Sequence, residues 1–471
     1  MKKTKILMLL MLVALVPTSH AQVPPQLRNQ WSTGWVADLG LPLCLHWKAM
    51  GDSLMPQLYS PLQDTAALLP SSWSWRNDTL RFRHKEANLR LTLAYETATG
   101  HYTGTLRQGI YKLRVEFLPD TGLLQLRRPQ TPQRPYAFDE ETITVEYRDK
   151  KGATIHLEGS LALPKGVSGR CPAVLLVSGS GQQDRDEEIV QHRPFLVIAD
   201  YLARHGIATL RYDDRGVGGS KGDVQNATTY DFANDAEQMF KALRRHKRID
   251  RHHCGIAGHS EGGMIAPIVA ARNSKVDFIV LLAGPGCSGA DVLVQQNEAL
   301  FLAQGIVQPL AARRAHFVQR MIDTVLHSPT APTASAARFI VDQERKGLTE
   351  ADCDAIQLNT STAIQLVQQL QTPWMKAFLT LNPASYLAQV RCPILALNGE
   401  RDRQVLCEPN LDSIYLATDG RATQHRLPGL NHLFQHCHTG GSQEYALIEE
   451  TFAPEALELM GNWIRQVAER R

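Results

Sequence analysis

Beyond Val16, no stretch of this chain is apolar for long enough to cross a bilayer. Lys and Arg nowhere gather into a long run, and the formal charge is only +3 with 21% of residues charged. Lacking a basic run or a strongly basic balance, the chain is not expected to bind nucleic acid. Eight cysteines are present (Cys44, Cys171, Cys254, Cys287, Cys353, Cys392, Cys407 and Cys437), but no two stand as C-x-x-C. That spacing removes zinc ribbons and thioredoxin-like redox motifs. A chain this long can bury a core without disulfides, so most of these residues read as small buried apolar side chains. Internal repeats are also lacking.

What is present begins with Met1-Lys2-Lys3-Thr4-Lys5, an apolar run over 6–16, and Ser19-His20-Ala21. A basic start, a short apolar core and a small-x-small end form a cleavable secretory signal over residues 1–21. The run is short for an anchor, and no Cys follows Ala21 to carry a lipid. The mature chain is therefore expected to start near Gln22 and to be exported, periplasmic or extracellular, with no stable membrane span.

Residues 22–127 read as a small all-β domain, a barrel or a sandwich. Alternating runs such as Leu80-Arg81-Phe82-Arg83, Leu89-Arg90-Leu91-Thr92-Leu93 and Leu113-Arg114-Val115-Glu116-Phe117 bury one strand face and wet the other. Residues 128–138, with Pro129, Pro132 and Pro135, read as a semi-rigid linker. From 139 to 471 the rhythm changes. A hairpin (142–147 and 155–163) precedes continuous apolar runs at 173–177, 207–210, 254–257, 278–282 and 394–397, which suit parallel strands buried on both faces. Helical periodicity lies between them, as in 195–204 and the Phe232, Ala236, Met239, Phe240, Leu243 face. This alternation predicts a doubly wound, mostly parallel α/β sheet. The connection over about 286–390 is too long for a crossover. Its helical patterns at 291–302, 309–326 and 362–370, broken by a Pro/Thr/Ala-rich stretch at 328–335, predict a helical lid. A final helix spans 454–467, with Pro454 in its first turn.

Two segments match G-x-S-x-G: Gly258-His259-Ser260-Glu261-Gly262 and Gly218-Gly219-Ser220-Lys221-Gly222. Ser260 follows a strand-like run and precedes a buried helical one, the order a nucleophile elbow needs. Ser220 follows a polar turn and leads into loop. A serine nucleophile requires a base, and the base an orienting acid. After Ser260 the chain offers Asp402, just beyond the 394–397 strand, with Glu400 as local competitor, and then His432 in a turn before the last helix. His432, His436, Cys437 and His438 also allow a metal-ligand reading, which no further acidic ligand supports. The oxyanion hole requires two backbone N–H groups: Glu261, and one from the loop Ser178-Gly179-Ser180-Gly181, where Ser180 is favoured over Gly179 or Gly181. The Gly-rich segments do not complete a G-x-G-x-x-G phosphate cradle.

Taken together, 176–186, Arg211-Tyr212-Asp213-Asp214-Arg215-Gly216-Val217-Gly218-Gly219-Ser220 and the Ser260 elbow resemble the α/β-hydrolase superfamily. Within it they are most similar to secreted bacterial carboxylesterases related to serine aminopeptidase-like and dienelactone hydrolase-like enzymes. Residues 374–386, 398–405 and 429–434 resemble the same group. The likeness covers about 140 to the C-terminus. Ser178 departs from it, standing where the superfamily commonly has His. The resemblance implies a serine esterase with an acyl-enzyme intermediate on a small-molecule acyl ester, no metal or organic cofactor, and a structural turn at 213–216. An aminopeptidase-like serine peptidase is the same-chemistry rival. It would need carboxylates to hold a substrate ammonium, for which Glu298, Glu344, Glu350 and Asp352 are candidates. A non-catalytic envelope-binding protein on the same fold is the third reading. Cys407 and Cys437 follow the acid-bearing and His-bearing loops, so they are either a disulfide pinning the two loops together or two free thiols.

Overall fold

The computed structural model describes residues 23–36, 41–51, 53–61, 64–108, 111–122, 126–327 and 334–469. The expected signal at 1–21 lies outside them, as does 328–333 of the expected break. The chain divides into two compact units, 1–125 and 126–471.

The first unit is one antiparallel sheet. Its strands are β1 (Trp31–Val36), β2 (Leu41–Met50), β3 (Ser53–Ser60), β4 (Asp64–Leu68), β5 (Ser72–Arg76), β6 (Thr79–His84), β7 (Leu89–Glu96), β8 (His101–Gln108) and β9 (Tyr111–Asp120). They lie in the order β4-β3-β2-β1-β9-β8-β7-β6-β5. Alternation does the folding here: in β7 every second residue (Leu89, Leu91, Leu93, Tyr95) is buried and the rest are exposed. The buried face needs cover, and the sheet covers itself by curling. Trp47 on β2 packs edge-on against Trp73 and Trp75 on β5, six strands away in the order, at 5.8 and 5.5 Å between centroids, and its indole N–H donates to the Tyr102 hydroxyl at 2.9 Å. In place of a two-sheet sandwich there is a single rolled sheet.

The second unit carries β10 (Phe138–Arg148), β11 (Thr154–Pro164), β12 (Cys171–Val177), β13 (Ala208–Tyr212), β14 (Ile249–His259), β15 (Phe278–Leu282), β16 (Ile394–Gly399) and β17 (Thr423–Leu427), in the order β10-β11-β13-β12-β14-β15-β16-β17. The β10–β11 hairpin and β11–β13 pair are antiparallel; from β13 onward every pairing is parallel. Helices α1 (Pro194–Arg204) and α12 (Pro454–Glu469) join one core, through Phe195, Ile198, Leu202, Leu457, Met460 and Ile464. Helices α2 (Thr229–Arg245), α3 (Gly262–Arg272) and α11 (Cys407–Ala417) join the other, through Phe240, Leu243, Met264, Ile265, Leu411 and Ile414. Between β15 and β16 come α4 (Gly289–Ala303), α5 (Gln308–His327), α6 (Ala334–Glu344), α7 (Glu350–Ala355), α8 (Thr360–Leu370), α9 (Pro373–Thr380) and α10 (Ala384–Leu387). Part of this segment has its own core, around Phe317, Met321, Ile322, Ile340 and Leu370.

The Pro-rich segment 128–138 does not run as a free tether. The Arg128 guanidinium donates to the carbonyls of Ile448, Val190 and Ala446, and Gln130 bonds the backbone of Thr451 and Phe452, so the segment is fastened into the second unit.

Candidate active site

Chain order reverses beside β12: the chain leaves it for β13 on one side and returns to β14 on the other. Loops at the carboxyl ends of such neighbours enclose a crevice. The 178–181 loop leaves β12 there, and Ser260 follows β14, with Val177 in register against Gly258.

Ser260 has φ +52°, a left-handed conformation that costs a non-glycine residue of order 1–3 kcal/mol and needs surrounding structure to hold it. Its N–H donates to Leu282 O at 2.9 Å. Glycine is required on either side because the turn is so tight. A Cβ on Gly258 would lie 2.0 Å from Gly262 O, and one on Gly262 would lie 2.1 Å from Val177 O. Helix α3 starts directly after the turn.

Asp402 and His432 arrive from the loops after β16 and β17. Asp402 is buried; its Oδ1 accepts the N–H groups of Gln404 and Val405 at 2.7 and 2.9 Å, and its Oδ2 lies 2.8 Å from His432 Nδ1. The His432 loop is stiffened by Asn431, whose Oδ1 accepts from Leu433 N and Gln435 N. Glu400, the local competitor, is exposed. Ser260 and His432 line one cavity of about 290 Å³, although no hydrogen bond joins Ser260 Oγ to His432 among the described residues. Such contacts often tighten only once substrate binds.

Gly179 N–H is committed to Glu187 Oε1 at 2.6 Å. Among the described residues neither Ser180 N–H nor Glu261 N–H donates within the protein, which leaves both able to meet an oxyanion. The Glu261 side chain is buried beneath them. Its carboxyl accepts from the Thr229 hydroxyl at 2.6 Å and from the Trp374 indole at 2.9 Å. Burial raises its pKa, as expected of a carboxyl with no cation beside it.

Sequence reasoning missed Glu187 and His259 as parts of this site. His259 Nδ1 faces Glu187 Oε1 at 2.9 Å and Nε2 faces His432 O at 3.0 Å. With acceptors on both sides, the pair must carry a shared proton beyond the neutral imidazole's one. Burial opposes a charged ring, but the Glu187 carboxylate outweighs it and raises the pKa of His259. The pair thus ties the 178–181 loop, through Gly179, to the backbone of the His432 loop. Nothing in the sequence marked Glu187, which stands in a run of charged residues, Asp184-Arg185-Asp186-Glu187-Glu188, just past the 176–186 segment.

The other candidates lie elsewhere. Ser220 is buried, donating to Asp213 O at 2.7 Å and accepting from Glu158 N at 2.9 Å. The 213–216 turn is an ionic scaffold in which Asp213 pairs with Arg185 and Arg215 with Asp235. His436 bonds Glu450 and Glu455, the Cys437 thiol donates to Gly429 O, and no disulfide joins Cys407 to Cys437. Glu298 accepts from Gln308, Glu344 pairs with Arg313, Arg320 and His316, Glu350 with Arg345, and Asp352 caps α7. None of these four carboxylates lines the cavity.

Over residues 193–436 the chain matches the family described as serine aminopeptidase, S33. It is 30% identical to Esterase EstD of Thermotoga maritima over 246 residues, 52% of this chain and 53% of that protein, so it spans about half the length of this relative. Among solved structures it is similar to the alpha/beta hydrolase GrgF from Penicillium sp. sh18, at 19% identity over 62% of this chain and 91% of that one, TM-score 0.39. It is likewise similar to Est1E from Butyrivibrio proteoclasticus, at 14% identity over 69% and 98%, TM-score 0.37.

Proposed function

The chain belongs to the serine aminopeptidase family, and from that membership we propose that it cleaves carboxylic esters through an acyl-enzyme intermediate, with Ser260, His432 and Asp402 as its triad. One observation carries the reading: a serine in a strained elbow and a buried Asp402–His432 pair converge on one cavity. In this mechanism Ser260 Oγ attacks the acyl carbonyl while its proton passes to His432 Nε2. Asp402 holds Nδ1–H and stabilises the imidazolium. The N–H groups of Glu261 and Ser180 take the oxyanion, a contribution of roughly 3–4 kcal/mol per donor. The imidazolium then protonates the departing alcohol, and water, deprotonated by His432, releases the acid and frees Ser260.

Cavity chemistry favours esters over peptides with a free amino terminus. Val292 and Leu293 of α4 and Trp374, Met375 and Phe378 of α9 supply an apolar wall, so we read the α4–α10 segment as a lid shaping an acyl pocket. Among the described residues that line the cavity the carboxylates are Glu187 and Glu261, and both are already hydrogen-bonded, which leaves none to hold an ammonium. Export follows from the basic-then-apolar residues 1–21, and sequencing the mature N-terminus should find it near Gln22.

The deciding assay presents 4-nitrophenyl esters of graded acyl length beside aminoacyl anilides. Short and medium acyl esters are expected to turn over and anilides not to. Faster anilide cleavage would replace the esterase reading with the peptidase.

A further inference from the structure

The outward face of the first unit's sheet carries a line of cations that the pairing register assembles. Arg83 on β6 stands directly opposite Arg90 on β7, Arg90 opposite Arg107 on β8, and Arg107 opposite Lys112 on β9. Directly opposed residues of an antiparallel ladder point to the same face, and neighbouring strands lie about 4.8 Å apart. In the adjoining row of the same face, Arg81 stands opposite Thr92, Thr92 opposite Thr105, and Thr105 opposite Arg114. Six cations therefore border two threonine hydroxyls. All six are exposed, and none belongs to a salt bridge among the described residues. Like charges directly opposed across strands destabilise a sheet. Three successive like pairs serve no folding purpose, whereas the core face of the same strands is optimally apolar.

From this face we infer that the first unit binds a linear anionic polysaccharide across strands β6 to β9. A line of charges at strand spacing matches a chain carrying an anion on successive residues, and guanidinium forks meet carboxylate or sulfate in bidentate fashion. Ser72 and Ser74 on β5 continue the two rows, and they line a shallow groove with Arg81, Arg83, Arg90 and Thr92. These hydroxyls suit the uncharged groups of a sugar. The groove's two aromatic residues, Trp73 and Phe82, pack into the core of the sheet, so the two rows contain no aromatic side chain for stacking bases, which single-stranded nucleic acid would call for. They also contain no large apolar side chain to enter a lipid interface.

The test uses the full mature chain, with alginate and heparin as charged probes and dextran as the neutral one. Wild type should bind one or both charged polysaccharides, release them as ionic strength approaches about 1 M, where the Debye length is about 3 Å, and ignore dextran. The triple variant Arg83→Gln/Arg90→Gln/Arg107→Gln should bind at least tenfold more weakly. Its ester turnover should be unchanged and its thermal midpoint no lower than wild type, since it relieves repulsion. A control triple in the second unit, Arg245→Gln/Lys275→Gln/Arg391→Gln, should bind as wild type does. Equal binding by wild type and the ladder variant, equal retention on dextran, or tighter binding to phosphatidylglycerol vesicles or single-stranded DNA than to either polysaccharide would each overturn the inference.

Discussion

Two serines of this chain stand in the same five-residue setting, one after a buried parallel strand and one in a polar turn. At Ser260 the backbone is forced to φ +52°, and the hydroxyl makes no hydrogen bond among the described residues. At Ser220 the left-handed position falls instead on Gly218, at φ +50°, where glycine adopts it without strain, and the hydroxyl is engaged, donating to Asp213 O and accepting from Glu158 N. One site leaves its hydroxyl without a partner among the described residues and holds its backbone in a costly conformation. The other spends the same group on stability. A local motif specifies neither outcome; the element that delivers it does.

The largest expected effects break the comparison at Ser260. Ser260→Ala should fold normally and lose ester turnover by roughly 10³–10⁶-fold. A fluorophosphonate probe should label wild type at Ser260 and leave Ser220 unmodified, read by peptide mapping; labelling at Ser220 would exchange the roles of the two sites. Next in size is the acid. Asp402→Asn should lower kcat by roughly 10⁴-fold, because an amide cannot hold the same tautomer and charge at His432. Glu400→Gln, on an exposed side chain, should stay within about twofold. If the two variants rank the other way, Asp402 is not the orienting acid.

The same contrast explains what was legible. Parallel strands β12 to β16 were readable because each contains a continuous apolar run, and burial on both faces demands that pattern. β17 was not: as an edge strand it buries only Leu427. Helix α11 was missed because Tyr415 and Leu416 are exposed and blur its apolar stripe. Ser260, Asp402 and His432 stood out because each directly follows a strand or its loop in a fixed order. Glu187 and His259 did not, since their pairing joins the loop after β12 to the end of β14 by side-chain contacts that no spacing encodes. The cation line escaped for a related reason. Alternation places its charges two residues apart on separate strands, so composition shows no basic run, and only register brings them together.

A third prediction sharpens the Ser220 side. Asp214 lies in the same turn, buried, accepting from the Ser178 hydroxyl and Gln183 N–H. Burial outweighs those bonds and pushes its pKa up to about 8 from 3.8. The folded state therefore binds this proton more tightly than the unfolded chain does. Its stabilising contribution is complete below about pH 4 and declines as pH rises through about 8, by at most roughly 1.4 kcal/mol per pH unit within that window. Asp214→Asn is neutral at every pH and keeps an acceptor and a donor for the same two partners. Denaturant titrations should show the variant gaining on wild type from pH 5 to pH 8. A constant difference across that range would mean Asp214 is ionised in the native protein.

The smallest effect is at Ser220 itself, and it completes the pair. Ser220→Ala removes a hydroxyl that serves two backbone groups, leaving Glu158 N–H and Asp213 O without that partner next to a network of Arg185, Glu158 and Asp213. A buried group stripped of its bond costs about 1–3 kcal/mol, so the unfolding midpoint should drop while the folded protein survives. Ester turnover per folded molecule should match wild type, because the residue touches neither the cavity lining nor the Asp402–His432 pair. Set beside Ser260→Ala, the two variants should dissociate cleanly, one losing activity without stability and the other stability without activity. A Ser220→Ala protein that kept its stability and lost turnover would show that the turn at 213–220 acts on the reacting groups and not on the fold alone.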